Sequence, residues 1–389
     1  MRRRLLLLSI VAALVVIGLI IGTPYARATS LIVRGAHLGG SIEAFADDHA
    51  YHVTVRPVHL VPTRYGDVRA QFYLPDKAIG YPVLVIPGIH SAGIEEGRLT
   101  ALSAQLAATG LPVMTMALPD LQAYRITPKA TDTIEDAVRW LSDRRDLARE
   151  GKIGVVGISF AGGLAICAAG RDSIKDRLAY VLSFGGHADL PRVMHFLATG
   201  EETPVPGVKI HPPHDYGVAV ILYGLVDRGV VPSDQVVALR EGISIFLLAS
   251  QQTVLTPDQA RATFARARAF EQKLPEPSRT YLHYVNDRDI RKLGPILVPY
   301  LNQLSADDPA LSADRAPAIP KAPVYLLHGI DDTVIPAVES ALLAKYLRDE
   351  GADVHLLLSG LITHADVSKN VPVSETWKLV SFWASVLRE

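Results

Sequence analysis

Residues 153–166 read IGVVGISFAGGLAI. An apolar run stops at Gly157, turns through Ser159 and restarts as a stretch of small residues. This is the pattern of a buried strand entering a helix through a sharp turn, with one hydroxyl at the tip. Such a turn forces its tip residue into strained backbone angles and holds the side chain clear of the sheet. Strand and helix approach closely there, so the positions two before and two after the tip must be small. Gly157 and Ala161 satisfy that. A nucleotide-binding turn would carry G-x-G-x-x-G, with a lysine or aspartate placed for phosphate or ribose, and neither feature is present. These residues alone leave two readings open: a nucleophile's turn, or a packing turn without chemistry.

Working outward, the flanking segments alternate strand and helix. YHVTVRPV (51–58) and DVRAQFYL (67–74) alternate like antiparallel strands, and YPVLVIP (81–87) and PVMTMAL (112–118) are apolar runs. LTALSAQLAATG (99–110) and the amphipathic TIEDAVRWLSDRR (133–145) read as helices. LAYVLSF (178–184) comes after the helix that Ser159 begins, and the rhythm then stops. Residues 190–320 are rich in helix formers and prolines, without strand–helix alternation. At 321 the earlier pattern resumes with strand APVYLLHG, a helix ending at Gly351, strand ADVHLLLSG and a closing helix. Strands spaced by helices in this way predict right-handed crossovers and a mostly parallel sheet covered on both faces. Residues 190–320 are then an insertion between two of its strands.

The chain has 389 residues, 49% of them hydrophobic, and a formal net charge of −1. It is long enough for a large core, and its charge offers no footprint for nucleic acid. Arg2, Arg3 and Arg4 precede LLLLSIVAALVVIGLIIG (5–22), which has no charge. As a helix those 18 residues would cover about 27 Å, close to the hydrocarbon thickness, and the basic flank predicts that the chain beyond the helix is exported. Pro24 is expected to break that helix, and Ala26-Arg27-Ala28 has the small-x-small spacing of a signal-peptidase site. Residues 1–28 are therefore read as a signal anchor, placing the protein in the cell membrane by a single pass with its main domain outside. Alternatively they are a signal peptide cleaved near Ala28, leaving the domain secreted or periplasmic. The apolar run exceeds a signal-peptide core, which favours the anchor. Residues 29–50 lack period and are read as a linker. The single cysteine, Cys167, excludes an internal disulfide and is expected to be a buried structural thiol.

Two later loops bring the partners that a hydroxyl nucleophile needs. HGIDDTVIP (328–336) follows one strand and SGLITHADV (359–367) follows the last. Loops after parallel strands gather at one sheet edge, so Ser159, a carboxylate from the first loop and His364 from the second converge. The order Ser, acid, His is the one that serine hydrolysis uses on such a sheet. Asp189 in GGHADL is a rival acid. His328 is read as a structural hydrogen-bonder, His355 as a core or sheet-face residue, and His211 and His214 as loop residues rather than a metal pair. His90 is read as lining the acyl pocket or as an exposed loop residue.

In these features the chain resembles the α/β-hydrolase superfamily, nearest in general look to its serine esterase and dienelactone-hydrolase-like branches. The resemblance covers 51–189 and 321–389, with 190–320 where many members carry a helical cap. It implies an α/β-hydrolase fold and acyl-enzyme hydrolysis of carboxylic esters or related acyl substrates. In the family's H-G-x-x-D-x-x-[VI]-P motif the aspartate is the triad acid, which places that role on Asp332 and leaves Asp331 as a turn residue. Ser159 is then the nucleophile and His364 the base. Phe160 N–H and Ile89 N–H, the latter in PGIHSAG (87–93), would form the oxyanion hole. A cap over 190–320 would wall the pocket and set substrate size. The expected partners are a small acyl substrate and, through the N-terminal helix, a membrane, with no cofactor, metal or nucleic acid. The oligomeric state is not legible. Ala161 and Pro87 depart from the family pattern and motivate an alternative, a non-catalytic hydrolase-fold binding protein anchored at the membrane.

Overall fold

The computed structural model describes residues 22–36, 39–304, 308–362 and 373–389. Two helices open it, α1 (residues 22–35) and α2 (Gly40–Asp48). Strands β1 (Val53–Val55), β2 (His59–Thr63) and β3 (Gly66–Pro75) come next, then β4 (Val83–Ile86), α3 (Gly97–Ala107) and β5 (Val113–Met116). After these come α4 (Pro119–Gln122), α5 (Pro128–Ser142), β6 (Ile153–Ile158), α6 (Phe160–Ala169) and β7 (Leu178–Phe184). Among the described residues six α-helices lie between β7 and β8: α7 (Leu190–Thr199), α8 (Asp215–Leu225), α9 (Val236–Leu255), α10 (Pro257–Glu271), α11 (Ser278–Asn286) and α12 (Ile290–Leu297). The chain closes with β8 (Val324–Gly329), α13 (Ala337–Asp349), β9 (Val354–Ser359) and α14 (Val373–Val386).

The sheet runs β1-β3-β5-β4-β6-β7-β8-β9, with β2 paired to β3 off this path. From β5 to β9 every pairing is parallel, and β1, β2 and β5 meet β3 antiparallel. This is the strand order of the α/β-hydrolase fold, and the chain has that fold. Alternate residues of each strand face opposite layers. Val181, Val324 and Leu326 join the core that contains α5, α6, α13 and the insertion helices. Leu182, Tyr325 and Leu327 join the core under α1, α3 and α14. Burial on both faces explains why these strands read as continuous apolar runs.

Two elements differ from the sequence expectation. The hairpin strand β2, HLVPT, was hidden in what reads as a connection, because only its central Val61 is fully buried. The second concerns residues 29–50, read as a linker, which are largely helical. Residues 22–35 form a helix with Pro24 inside it, so Pro24 does not end helical structure. Ala28, Leu31 and Val33 on this helix are buried. Arg27 Nε donates to Thr109 O at 2.8 Å and its Nη1 to Leu387 O at 3.1 Å, tying α1 to the domain. The apolar run expected to anchor the chain lies almost wholly at residues 5–21, outside the described residues. Among the described residues no helix is long and apolar enough to cross a membrane.

The insertion is fixed at its root by a buried ion network. Glu339 of α13, 1% exposed, accepts from Ala188 N and Asp189 N and pairs with Arg192 of α7 at 2.5 Å. A carboxylate this deeply buried is held by these charge-assisted bonds, and losing Arg192 would leave it unpaired.

Candidate active site

In this sheet β4 leads outward to β5 on one side, while β6 pairs on the other side of β4. Ligands in open α/β sheets bind beyond the carboxyl ends of the strands at such a switch point. The turns after β4 and β6 meet there, one carrying Gly88 and Ile89, the other Ser159.

Ser159 has φ 55° and ψ −132°, a strained conformation for a residue with a Cβ, which costs about 1–3 kcal/mol. The turn is locked from both sides: Ser159 N donates to Phe184 O at 2.7 Å, and Gly162 N to Ser159 O at 2.8 Å. Gly157 is required by close approach, since a methyl group there would stand 2.2 Å from Ala161 O. Helix α6 starts at Phe160, so Phe160 N–H is among the first amides of the helix, which have no intrahelical partner.

Ser159 borders a cavity of about 400 Å³, and Gly88, Ile89, His90, Gly185 and Asp332 border the same cavity. Asp332 is 4% exposed. Its Oδ1 accepts from Val334 N at 2.8 Å and Ile335 N at 3.1 Å, which fixes the carboxylate within the β8–α13 turn. Its Oδ2 lies 3.6 Å from His328 Nε2. Asp331 points elsewhere, with Oδ1 at 3.2 Å from His211 Nε2. Asp189 is absent from the cavity lining: it caps α7 by accepting from Arg192 N at 2.8 Å and pairs with Arg315. His364 lies outside the described residues.

The other histidines have local duties. His328 is fully buried, with Nδ1 at 2.7 Å from Ser340 Oγ and Nε2 at 2.8 Å from Ile335 O. His355 stacks on Tyr325 at 4.6 Å between ring centres. His214 caps α8 by accepting from Tyr216 N. His90 accepts from Ala92 N at 3.1 Å, and burial lowers its imidazole from the ordinary value. Cys167 is buried, and burial pushes its thiol up to about 12. Among the described residues no three metal-ligating side chains stand together.

Two features of the site were missed in the sequence. Gln251 of α9 reaches in from the insertion, accepting from Ser91 Oγ at 3.0 Å and donating to Tyr124 OH at 2.7 Å. It braces the turn that carries Gly88 and Ile89, and no local pattern announces such a long-range contact. The cavity is also not walled as expected: none of the described residues of 190–320 borders it, whereas α1 does. Here a signal existed. Ala28, Leu31, Ile32 and Gly35 follow the i, i+3, i+4, i+7 spacing of a helix face.

No family model matches the chain. Acyl-coenzyme A thioesterase 3 of Mus musculus is 30% identical over 168 residues, which is 42% of this chain and 36% of that protein. The matched stretch thus spans about a third of the thioesterase's length. Among solved structures, an esterase of Pyrobaculum calidifontis is similar over 89% of this chain and 88% of its own, with 17% identity and a TM-score of 0.46. The rice cell wall degrading esterase LipA of Xanthomonas oryzae is similar over 86% and 90%, with 14% identity and a TM-score of 0.47.

Proposed function

We propose that the protein is a serine hydrolase that cleaves carboxylic esters or related acyl substrates through an acyl-enzyme on Ser159. The observation that carries this reading is Ser159 itself, strained at φ 55° on a strand–helix turn and opening into a cavity shared with Asp332, Gly88 and Ile89. A scaffold gains nothing from a strained hydroxyl facing a cavity, whereas a nucleophile does.

In the proposed reaction Ser159 Oγ attacks the acyl carbon as its proton passes to His364. The resulting oxyanion is met by Phe160 N–H and Ile89 N–H, each such donor being worth about 3 kcal/mol. Asp332 holds the imidazole's orientation and stabilises its cation. The tetrahedral centre expels the alcohol, which takes the proton from His364. Water then attacks the acyl-enzyme, giving its proton to His364, and the acid leaves as the Ser159 hydroxyl reforms. A thioester substrate fits the same steps with a thiol as leaving group, and the partial match to an acyl-CoA thioesterase favours including it.

The proposal extends to location: residues 1–28 hold the domain at the exported face of a membrane. Three arginines before 18 uncharged residues support this. Retention is supported over cleavage because Ala28 has no exposed surface and Arg27 is bonded to Thr109 and Leu387.

The test is labelling of the full-length chain with a fluorophosphonate probe, beside Ser159→Ala. Labelling of the wild type alone, with turnover of p-nitrophenyl acetate, is expected. A folded wild type that is neither labelled nor active would favour the membrane-anchored binding protein instead.

A further inference from the structure

The cavity that starts at Ser159 leads away from the insertion and lies among three helices of the opposite layer. Its apolar walls are Leu31 and Ile32 of α1, Leu99 and Leu102 of α3, and Leu379 and Trp383 of α14. Two of the polar side chains on its border away from Ser159 are engaged by their own neighbours. Gln105 Oε1 accepts from Arg34 at 2.5 Å, and Glu96 caps α3 through Leu99 N and pairs with Arg98 at 2.8 Å. What the cavity offers a ligand away from Ser159 is therefore mainly aliphatic and aromatic surface. Its open side is marked by Gly35, Arg98 and Ala101, all exposed. The α1 wall is held in place by Arg27 at one end and Arg34 at the other.

We propose that this cavity takes the aliphatic chain of the acyl group, and that Ile32 on the N-terminal helix and Leu102 on α3, both on its border, set the chain length. This rests on the acyl-transfer reading of Ser159 and adds to it the substrate class and the element that selects it. A volume of about 400 Å³ lies in the range that encloses most of a small ligand. Each methylene buried against such walls would raise kcat/KM about fourfold until the cavity is full.

The experiment measures kcat/KM of the full-length chain for p-nitrophenyl acetate, butyrate, octanoate and dodecanoate. Wild type, Ile32→Trp and Leu102→Ala are compared, with thermal melts to confirm folding. The wild type is expected to prefer a longer ester over acetate. Ile32→Trp should lower the octanoate-to-acetate ratio at least tenfold, and Leu102→Ala should move the optimum to a longer chain. If the tryptophan variant does not fold, the direction of the Leu102→Ala shift decides alone. Active folded variants whose ratios stay within twofold of wild type overturn the chain-length assignment and leave the hydrolase reading standing. A wild type that turns over none of the four esters overturns both.

Discussion

Gly88 stands against Ser159 so closely that a methyl group on it would lie 2.9 Å from the serine's Cβ and 3.1 Å from Ile158 O. The turn after β4 and the turn after β6 are thus in close contact, as the proposed roles of Ile89 N–H and Ser159 require. Gly88→Ala should push the two turns apart by a few tenths of an ångström. We expect kcat for p-nitrophenyl acetate to fall about 10- to 100-fold, because small displacements of reacting groups are costly. A melting temperature close to wild type would show that the loss comes from geometry rather than unfolding.

The strain at Ser159 predicts a gain in stability when the side chain is removed entirely. Ser159→Gly should raise the unfolding free energy by about 1 kcal/mol, since glycine adopts positive φ freely. Ser159→Ala keeps the Cβ and should gain much less. Urea unfolding of the two variants separates these outcomes, and equal stabilities would refute the strain argument.

Gln251 joins Ser91 to Tyr124 across the insertion boundary. Gln251→Leu removes both bonds with little change in volume, and it leaves the Ser91 turn without its brace. The expected result is a kcat about tenfold lower with KM changed less, because the proposed oxyanion hole would act only in the transition state. A rise in KM at constant kcat would instead place Gln251 in ground-state binding.

Acid should weaken a charge cluster on the far side of the sheet. Arg171 Nη1 donates to Asp132 and Glu135, each at 2.7 Å, and Arg64 adds a bond to Glu135 at 2.9 Å. Burial alone would raise these carboxyls. The hydrogen bonds from Tyr65 and Arg171 to Asp132, and from Ser173 and Arg171 to Glu135, outweigh it and hold both below their ordinary values of 3.8 and 4.5. Folded values below unfolded ones mean stability that is present above about pH 4.5 and lost as pH falls through the folded values. Arg171→Met should therefore cost about 1 kcal/mol at pH 7, solvent screening being substantial, and progressively less as the solution is acidified below pH 4. Urea midpoints at pH 7 and pH 3 test this, and a gap that is the same at both would rule out the electrostatic account.

Local chemistry made much of this protein legible from the chain alone. The Gly157–Ala161 turn announces itself because close approach of strand and helix demands small residues around one hydroxyl at the tip. The apolar runs of β4 to β9 are legible because strands buried on both faces cannot alternate, and the pause over 190–320 marks the insertion. The tertiary structure decided what depends on contacts between distant residues. Of the three candidate acids, Asp332 borders the cavity, while Asp331 turns to His211 and Asp189 is occupied by α7 and Arg315. The same holds for α1, whose Arg27 meets partners 82 and 360 positions away, and whose Leu31 and Ile32 form a wall expected of the insertion. Helical period can say that such a face is apolar. Only packing says what it covers, because the burial of a face is a property of the surfaces it meets and not of its own residues.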